Sequence, residues 1–343
     1  KEGRPFEPPM EGRPFPPKGE RPPRDGDARI LPYFPGEGSL PGRPPEYDPS
    51  KPWRGGKDQF GPGEGKPDIA LVSYELMFKA LKSEVFFKKY LTLIDGCSFV
   101  QGSWAGIETP QAQALIDHSK VFSHGGGLHA IPIATYIFAQ ILRSIKSIDA
   151  HIALQKEKNW KQMMSVGELT DMTIGITGFG GIGQEVARLA KAFRMTVYAT
   201  KRTPVVSDNL DRLFKPNELN KMLQICDFVV NCLPSSPDTQ KIFSSDQFAA
   251  MKSSAMFINV GRGESVDEDS LANALSTKEI LCAALDTTDP EPLDSSSPLW
   301  TLENCFITPH DSAWGPRAPL RAVELFIDNF KRLQNGKKLL NQV

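Results

Sequence analysis

Apolar positions along this chain fall into two rhythms. From about residue 68, short runs such as "DIALVS", "TVYAT", "FVVNCL", "AMFINV", "CAALD" and "CFITP" read as strands, most of them apolar on both faces. Between them lie stretches of helical period. "YELMFKALKSEVFFKKYL" reads as a helix with apolar positions at Leu76, Phe78, Leu81, Val85 and Phe86. "CSFVQGSWAGIET" reads as a strand running into a glycine-containing loop. "HAIPIATYIFAQILRSI" reads as a long apolar helix that tolerates Pro132 only in its first turn. "NELNKMLQIC", "SSDQFAAM" and "DSLANALS" read as further helices. Six strands starting at Thr173, alternating with helices, predict an α/β fold: a doubly wound parallel sheet of the Rossmann type, covered on both faces.

Residues 1–67 have neither rhythm. They hold 17 of the 29 prolines and 12 of the 28 glycines, and open on a tandem repeat, "EGRPFEPPM" then "EGRPFPPKG". So few aliphatic side chains cannot offset the entropy of ordering the segment. The expectation is a disordered tail or linker. The competing one is an extension that wraps the globule or a protein partner, anchored by Phe6, Phe15, Tyr33, Phe34, Tyr47 and Trp53. The expected division is this extension, a substrate-binding lobe over 68–125 completed by 316–343, and a dinucleotide-binding domain over 126–315.

Charge and cysteine content exclude some classes. A formal net charge of −1 argues against nucleic acid and anionic membranes as partners. No apolar run reaches the roughly 18–20 residues of a membrane span. The five cysteines are scattered without metal-ligand spacing, and His118, His124, His129 and His151 form no ligand set, so no metal is expected. Reduced thiols imply a soluble intracellular protein. The chain starts at Lys1 rather than Met, so an organelle (mitochondrion or plastid) is the alternative expectation to the cytoplasm.

The candidate chemistry lies where strands end. The strand Thr173–Thr177 feeds Gly178, Phe179, Gly180, Gly181, Ile182 and Gly183, and a helix follows at once. Gly178 permits the tight turn, Gly180 lets backbone approach a pyrophosphate, and Gly183 lets helix pack on strand. The helix N-terminus then offers free N–H groups to phosphates. On the same rim, "FINV" runs into Arg262, "CAAL" into Asp286 with Glu291 five residues on, and "CFITP" into His310. Arg262 can hold a carboxylate bidentately, and His310 can exchange a proton near neutral pH. Glu291 can orient that imidazole and favour its charged form.

In "GELTDMTIGITGFGGIGQEVARLAKAF", "NCLPSSPDTQKIF", "MKSSAMFINVGRGESVDEDSLANAL", "AALDTTDPEPL" and "ITPHDSAW", taken in that order, the chain resembles the D-isomer-specific 2-hydroxyacid dehydrogenase family, which includes glyoxylate and hydroxypyruvate reductases. The resemblance runs over roughly residues 97–333. It implies a homodimer and an oxidoreductase acting on a small 2-oxo acid. His310 would give a proton to the keto oxygen as a nicotinamide hydride reaches the adjacent carbon. Glu291 would bond His310, and Arg262 would hold the substrate carboxylate or carbonyl. Asp286 would contact the nicotinamide carboxamide, and the backbone amides of Ala105 and Gly106 would grip the substrate carboxylate. Leu233 and Pro234 would line the cofactor.

One stretch departs from NAD-preferring relatives. In "VYATKR", Lys201 stands where such relatives carry an acid for the ribose 2′-hydroxyl. Thr200, Lys201, Arg202 and Thr203 would instead meet a 2′-phosphate, which points to NADP, with NAD as the alternative. Thr135 replaces a glutamate common in relatives. Asp311 follows His310 where relatives are apolar, and could raise the histidine pKa. Trp104 and Trp314 flank the presumed substrate loops. The substrate lobe lacks its usual first strand–helix unit. That supports a second reading, a family member recruited as an accessory subunit of a larger assembly, binding cofactor with little or no turnover.

Overall fold

A computed structural model of the chain describes residues 69–343, apart from 75, 78–81, 108 and 164–165. The expected Pro/Gly-rich extension and its aromatic anchors lie outside the described residues.

Two parallel sheets organise the rest. The smaller has the order β1-β2-β3, from Ile69–Val72, Phe99–Gly102 and Phe122–Ser123. The larger contains β4 (Thr173–Thr177), β5 (Thr196–Thr200), β6 (Arg212–Phe214), β7 (Phe228–Asn231), β8 (Met256–Asn259), β9 (Cys282–Leu285) and β10 (Cys305–Ile307). Its order is β10-β9-β8-β7-β4-β5-β6, with every pair parallel. The doubly wound α/β sheet is therefore present, with one strand beyond the six expected. That strand, β6, is a three-residue edge piece opening on the exposed Arg212, which gives no apolar run to read.

Successive side chains of a strand face opposite ways, and here both ways are apolar. Ile174, Ile176, Val230, Ile258 and Ala284 pack under the helices Ala130–Ile145 and Gly181–Ala192. Val229, Phe257, Ala283 and Leu285 pack under Leu219–Leu223, Ser245–Ala249 and Glu268–Ser276. The two cores are why these strands read as unbroken apolar runs.

The helix expected from "YELMFKALKSEVFFKKYL" is interrupted. Ser83 leaves helical geometry and caps a new helix, Glu84–Ile94, accepting from the Phe86 N–H at 3.3 Å. Serine competes well for that position because its hydroxyl satisfies a first-turn donor. Val85, expected on the apolar face, is 82% exposed. Phe78 and Leu81 lie outside the described residues.

The chain returns to the smaller sheet at its end. In the helix Ala318–Gln334, Phe326 stacks on Phe99 with ring centroids 5.8 Å apart. The buried Asn329 amide donates to Gln101 Oε1 (2.8 Å), Ser123 Oγ (3.1 Å) and the Leu340 carbonyl (3.1 Å), and accepts from the Leu340 N–H. Gln342 then bridges antiparallel to Ser123 and covers the β3 edge. The chain thus crosses between the sheets twice, over 124–129 and 313–317. The crossings touch where the His129 ring lies 3.3 Å from the Ala313 carbonyl, and Arg321 Nε, in the helix that follows the second crossing, donates to the Leu128 carbonyl at 2.7 Å. Burial holds His129 below its ordinary pKa, against the Ala313 and Ser103 carbonyls that raise it.

Asn329→Ala leaves Gln101, Ser123 and Leu340 each short of a buried partner. It is expected to lower the unfolding free energy by about 3 kcal/mol. A lower urea midpoint at unchanged slope is the readout, and an unmoved midpoint contradicts this account.

Candidate active site

β4 has β5 on one side and β7 on the other, so the winding reverses there and opens a crevice beyond the carboxyl ends. The glycine loop enters that crevice. Gly178 has φ +92°, and a Cβ on it would press on the Cys232 carbonyl oxygen at 3.0 Å. Its N–H donates to the Thr200 carbonyl at 3.2 Å, tying the loop to β5. The Phe179 ring is core, so its backbone alone faces the loop. Gly180 is the N-cap of Gly181–Ala192 and brings no capping side chain. The first-turn N–H groups of Gly181, Ile182 and Gly183 therefore lack helical acceptors. The space beside Gly180 is open, with nothing within 4 Å of a Cβ placed there.

The loops of this rim are held by two buried carboxamides. At the end of β7, Asn231 donates to Asn259 Oδ1 (2.9 Å) and Ser265 Oγ (2.6 Å), and accepts from the Thr177 hydroxyl (3.1 Å) and the Leu233 N–H (3.2 Å). At the end of β8, Asn259 accepts from the Gly261 N–H (3.1 Å) and donates to the carbonyls of Arg262 and Thr287, both at 3.3 Å. Every donor and acceptor of both amides is used. Leu233 is placed by this network, with Pro234 next to it. So is the Gly261–Gly263 turn. Gly263 lies against the next loop so closely that a Cβ would fall 2.0 Å from the Thr288 carbonyl.

That packing sets Arg262 beside Glu291 and His310. His310 Nδ1 is 2.9 Å from Glu291 Oε2, and both side chains are a little under half exposed at the rim. Arg262 Nη1 donates to the Gly261 carbonyl at 2.9 Å. The hydrogen bond to Glu291 raises the His310 pKa. Partial burial opposes it, the charges of Glu291 and Asp286 reinforce it, Arg262 opposes it, and the net shift is upward. Asp311, singled out from sequence, is not among the groups that move it. Burial pushes the Glu291 carboxyl up, but His310, the Thr288 N–H and Arg262 outweigh it and hold the group below its ordinary value. Asp286 is buried, and its oxygens are filled by groups of the 308–312 segment.

At the other end of the crevice, Thr200 is buried at the end of β5. Lys201 Nζ donates to the Phe179 carbonyl at 2.8 Å, which uses one of its three N–H bonds. Arg202 and Thr203 are exposed, and among the described residues Arg202 has only a 3.7 Å ion pair with Asp238, itself exposed. A hollow of about 490 Å³ opens here, lined by Lys201, Arg202, Pro204, Phe214 and a third cation, Lys215. Lys215 was not singled out from sequence. It lies fourteen positions downstream and joins the others only because β6 pairs with β5.

Ala105 and Gly106 lie in the loop after β2, and their N–H groups have no acceptor among the described residues. Trp104 is packing, tilted on Phe122. Trp314 is exposed and meets Tyr74 edge-on at 5.9 Å. The Thr135 hydroxyl bonds its own helix at the Ile131 carbonyl. Burial pushes the Cys232 thiol up to about 12, so no thiolate forms there near neutral pH. No cluster of His, Cys, Asp and Glu among the described residues could hold a metal, and no described helix is long and apolar enough to cross a membrane.

The sequence profile of "D-isomer specific 2-hydroxyacid dehydrogenase, NAD binding domain" matches residues 138–312. The chain is 30% identical over 239 residues to glyoxylate/hydroxypyruvate reductase B of Salmonella newport, covering 68% of this chain and 73% of that protein. It superposes on a D-isomer specific 2-hydroxyacid dehydrogenase family protein from Aeromonas salmonicida with TM-score 0.67 at 26% identity, over 81% of this chain and 99% of that one. A D-isomer specific 2-hydroxyacid dehydrogenase from Xanthobacter autotrophicus, solved with NADPH and MES, superposes with TM-score 0.56 at 29% identity, over 63% and 88%.

A raised histidine pKa means the imidazolium persists above the ordinary histidine range and is lost as pH rises through the raised value. The stability it contributes is full below the unfolded pKa and fades over that same window. Glu291→Gln is therefore expected to move the NMR titration midpoint of His310 down toward the ordinary histidine value. An unmoved midpoint would remove Glu291 as the cause.

Proposed function

Because the chain belongs to the D-isomer specific 2-hydroxyacid dehydrogenase family, we propose that it reduces a small 2-oxo acid of the glyoxylate or hydroxypyruvate type to the D-2-hydroxy acid, with NADPH as reductant. The observation that carries this reading is the His310–Glu291 pair on the rim of a dinucleotide crevice. The crevice suits such a cofactor: first-turn N–H groups stand uncapped beside open space at Gly180, and the buried Thr287 hydroxyl has no partner among the described residues. When bound, NADPH supplies the hydride for the carbonyl carbon.

The chain's own residues supply the rest. Glu291 engages Nδ1 of His310, which leaves Nε2 as the nitrogen that hands a proton to the keto oxygen. One Nη1 N–H of Arg262 goes to the Gly261 carbonyl, and the remaining guanidinium N–H groups, without a partner among the described residues, suit the substrate carboxylate or the developing oxyanion. The N–H groups of Ala105 and Gly106 suit the same carboxylate. Lys201, Arg202 and Lys215 make a cationic hollow suited to a 2′-phosphate. The complex of the Xanthobacter relative with NADPH supports that choice. In this reading residues 68–125 and 316–343 form the substrate lobe, and 126–315 the nucleotide domain. A homodimer belongs to the same reading, supported by the exposed apolar side chains of Ile148, Ile152 and Trp160.

Paired fluorescence titrations with NADPH and NADH, followed by turnover on glyoxylate and hydroxypyruvate, test the proposal. NADPH should bind more tightly than NADH, and Lys201→Ala with Arg202→Ala should weaken NADPH by about 10- to 100-fold. His310→Ala should keep NADPH binding and lose roughly 10²–10⁴-fold in turnover. No turnover of either acid by the wild-type protein would overturn the reductase reading.

A further inference from the structure

Lys201 was expected at a 2′-phosphate, yet the chain already gives its ammonium another task. Nζ donates to the Phe179 carbonyl at 2.8 Å. The residue before it acts through its backbone: the Thr200 carbonyl accepts from the Gly178 N–H at 3.2 Å. Two consecutive residues at the end of β5 thus hold two consecutive residues of the glycine loop. Gly178 and Phe179 lead into the uncapped first turn of Gly181–Ala192, and the pyrophosphate of either nicotinamide dinucleotide needs that turn in place. A carboxylate at position 201 would set oxygen against the Phe179 carbonyl oxygen with no proton between them. The loop therefore accounts for a cation here, whichever nucleotide binds.

Lys215 is in the opposite situation. It follows Phe214 at the end of the edge strand β6, and Phe214 pairs with Thr200. The Phe214 carbonyl also accepts from the Lys201 N–H at 3.3 Å, so positions 201 and 215 leave adjacent strand ends together. On its other side Lys215 opens the turn Pro216–Glu218: its N–H donates to Glu218 Oε2 at 3.1 Å, and its carbonyl accepts from the Glu218 N–H at 2.9 Å. The backbone is fixed from both directions, while the side chain is exposed. The second oxygen of Glu218 goes to Lys221 at 3.3 Å. Arg202 reaches Asp238 at 3.7 Å. Of the three cations that line the hollow, Lys215 alone has all its side-chain N–H bonds unclaimed among the described residues. A dianionic group entering the hollow gains most from a cation that surrenders no bond to meet it.

We propose that Lys215, on the edge strand β6, is the residue that discriminates NADPH from NADH, and that Lys201 is a positioning residue that holds the glycine loop for either nucleotide. Nucleotide preference is then written on the strand beside the one that carries it by position in sequence. The inference rests on the reading of the hollow as the 2′-phosphate site. That reading fails separately, if the wild-type chain binds NADPH and NADH equally.

Single substitutions in the full chain separate the two roles, read by fluorescence titration with NADPH and NADH and by displacement with 2′,5′-ADP, which carries the phosphate without the nicotinamide. Lys215→Ala should weaken NADPH and 2′,5′-ADP by about tenfold and leave NADH unchanged. Lys215→Arg, which keeps the charge, should hold most of the preference. Lys201→Ala should weaken NADPH and NADH by one common factor of about 3- to 10-fold. Lys201→Arg, which keeps a donor for the Phe179 carbonyl, should recover most of it. The readout without nucleotide is amide hydrogen exchange over residues 178–183. Lys201→Ala should speed it, and Lys215→Ala should not move it. Lys215 is exposed and its side chain bonds nothing among the described residues, so its variants decide the discrimination even if Lys201→Ala fails to fold. A Lys215→Ala chain that keeps the full preference for NADPH overturns the inference. So does a Lys201→Ala chain that loses NADPH affinity alone with exchange unchanged. Equal binding of the two nucleotides by the wild-type chain overturns the 2′-phosphate reading, and the inference with it.

Discussion

Two asparagines side by side under the rim of the larger sheet hold its loops in register. Asn231 and Asn259 end adjacent strands, bond each other at 2.9 Å, and spend their remaining groups on the Ser265 and Thr177 hydroxyls and on loop backbone at Leu233, Gly261, Arg262 and Thr287. A buried amide without partners is costly, and one with all partners is rigid. Leu233, the Gly261–Gly263 turn and Thr287 therefore cannot move independently. Arg262 inherits its place from this contact. The Asp286 segment joins the network through Thr287 and carries it to His310.

The same rim shows two kinds of electrostatics. Around Asp286 every charge-bearing oxygen is paired and buried. Around Lys201 and Arg202 the cations are loosely engaged, and an exposed 3.7 Å pair such as Arg202–Asp238 contributes little. Such cations lose little on turning to a phosphate. One end of the crevice is thus preset, while the other still has hydrogen-bonding capacity for an anionic ligand.

Much of this was legible in the sequence because burial on both faces writes itself as apolar runs. Strands β4, β5, β7, β8, β9 and β10 were readable for that reason, and a strand's end tells where the next residue stands. Arg262, Glu291 and His310 could be placed on one rim from their positions after β8, β9 and β10. The rest was hidden for equally physical reasons. The three residues of β6 are too few to show a period. Ser83 interrupts a helical pattern by capping, which periodicity does not register. Asn231 and Asn259 look like turn residues at the ends of runs, and only their mutual burial gives them a role. Tyr136 sits in an apolar helix stretch, where one hydroxyl is invisible until Thr308 is found opposite. Asp286 was visible as a carboxylate, but sequence could not count its donors.

The return of the chain to the smaller sheet has a mechanical consequence. That sheet is joined to the larger one by two covalent passages, 124–129 and 313–317, and they run side by side, pinned by Arg321 to Leu128 and by His129 to Ala313. A single passage would let one body swivel freely about a point. Two adjacent passages define a line, and rotation about that line is the motion that twists both least. Since Ala313 lies three residues beyond His310, that line passes near the 308–312 segment, so a swing of the smaller sheet would displace distant atoms far more than His310 itself.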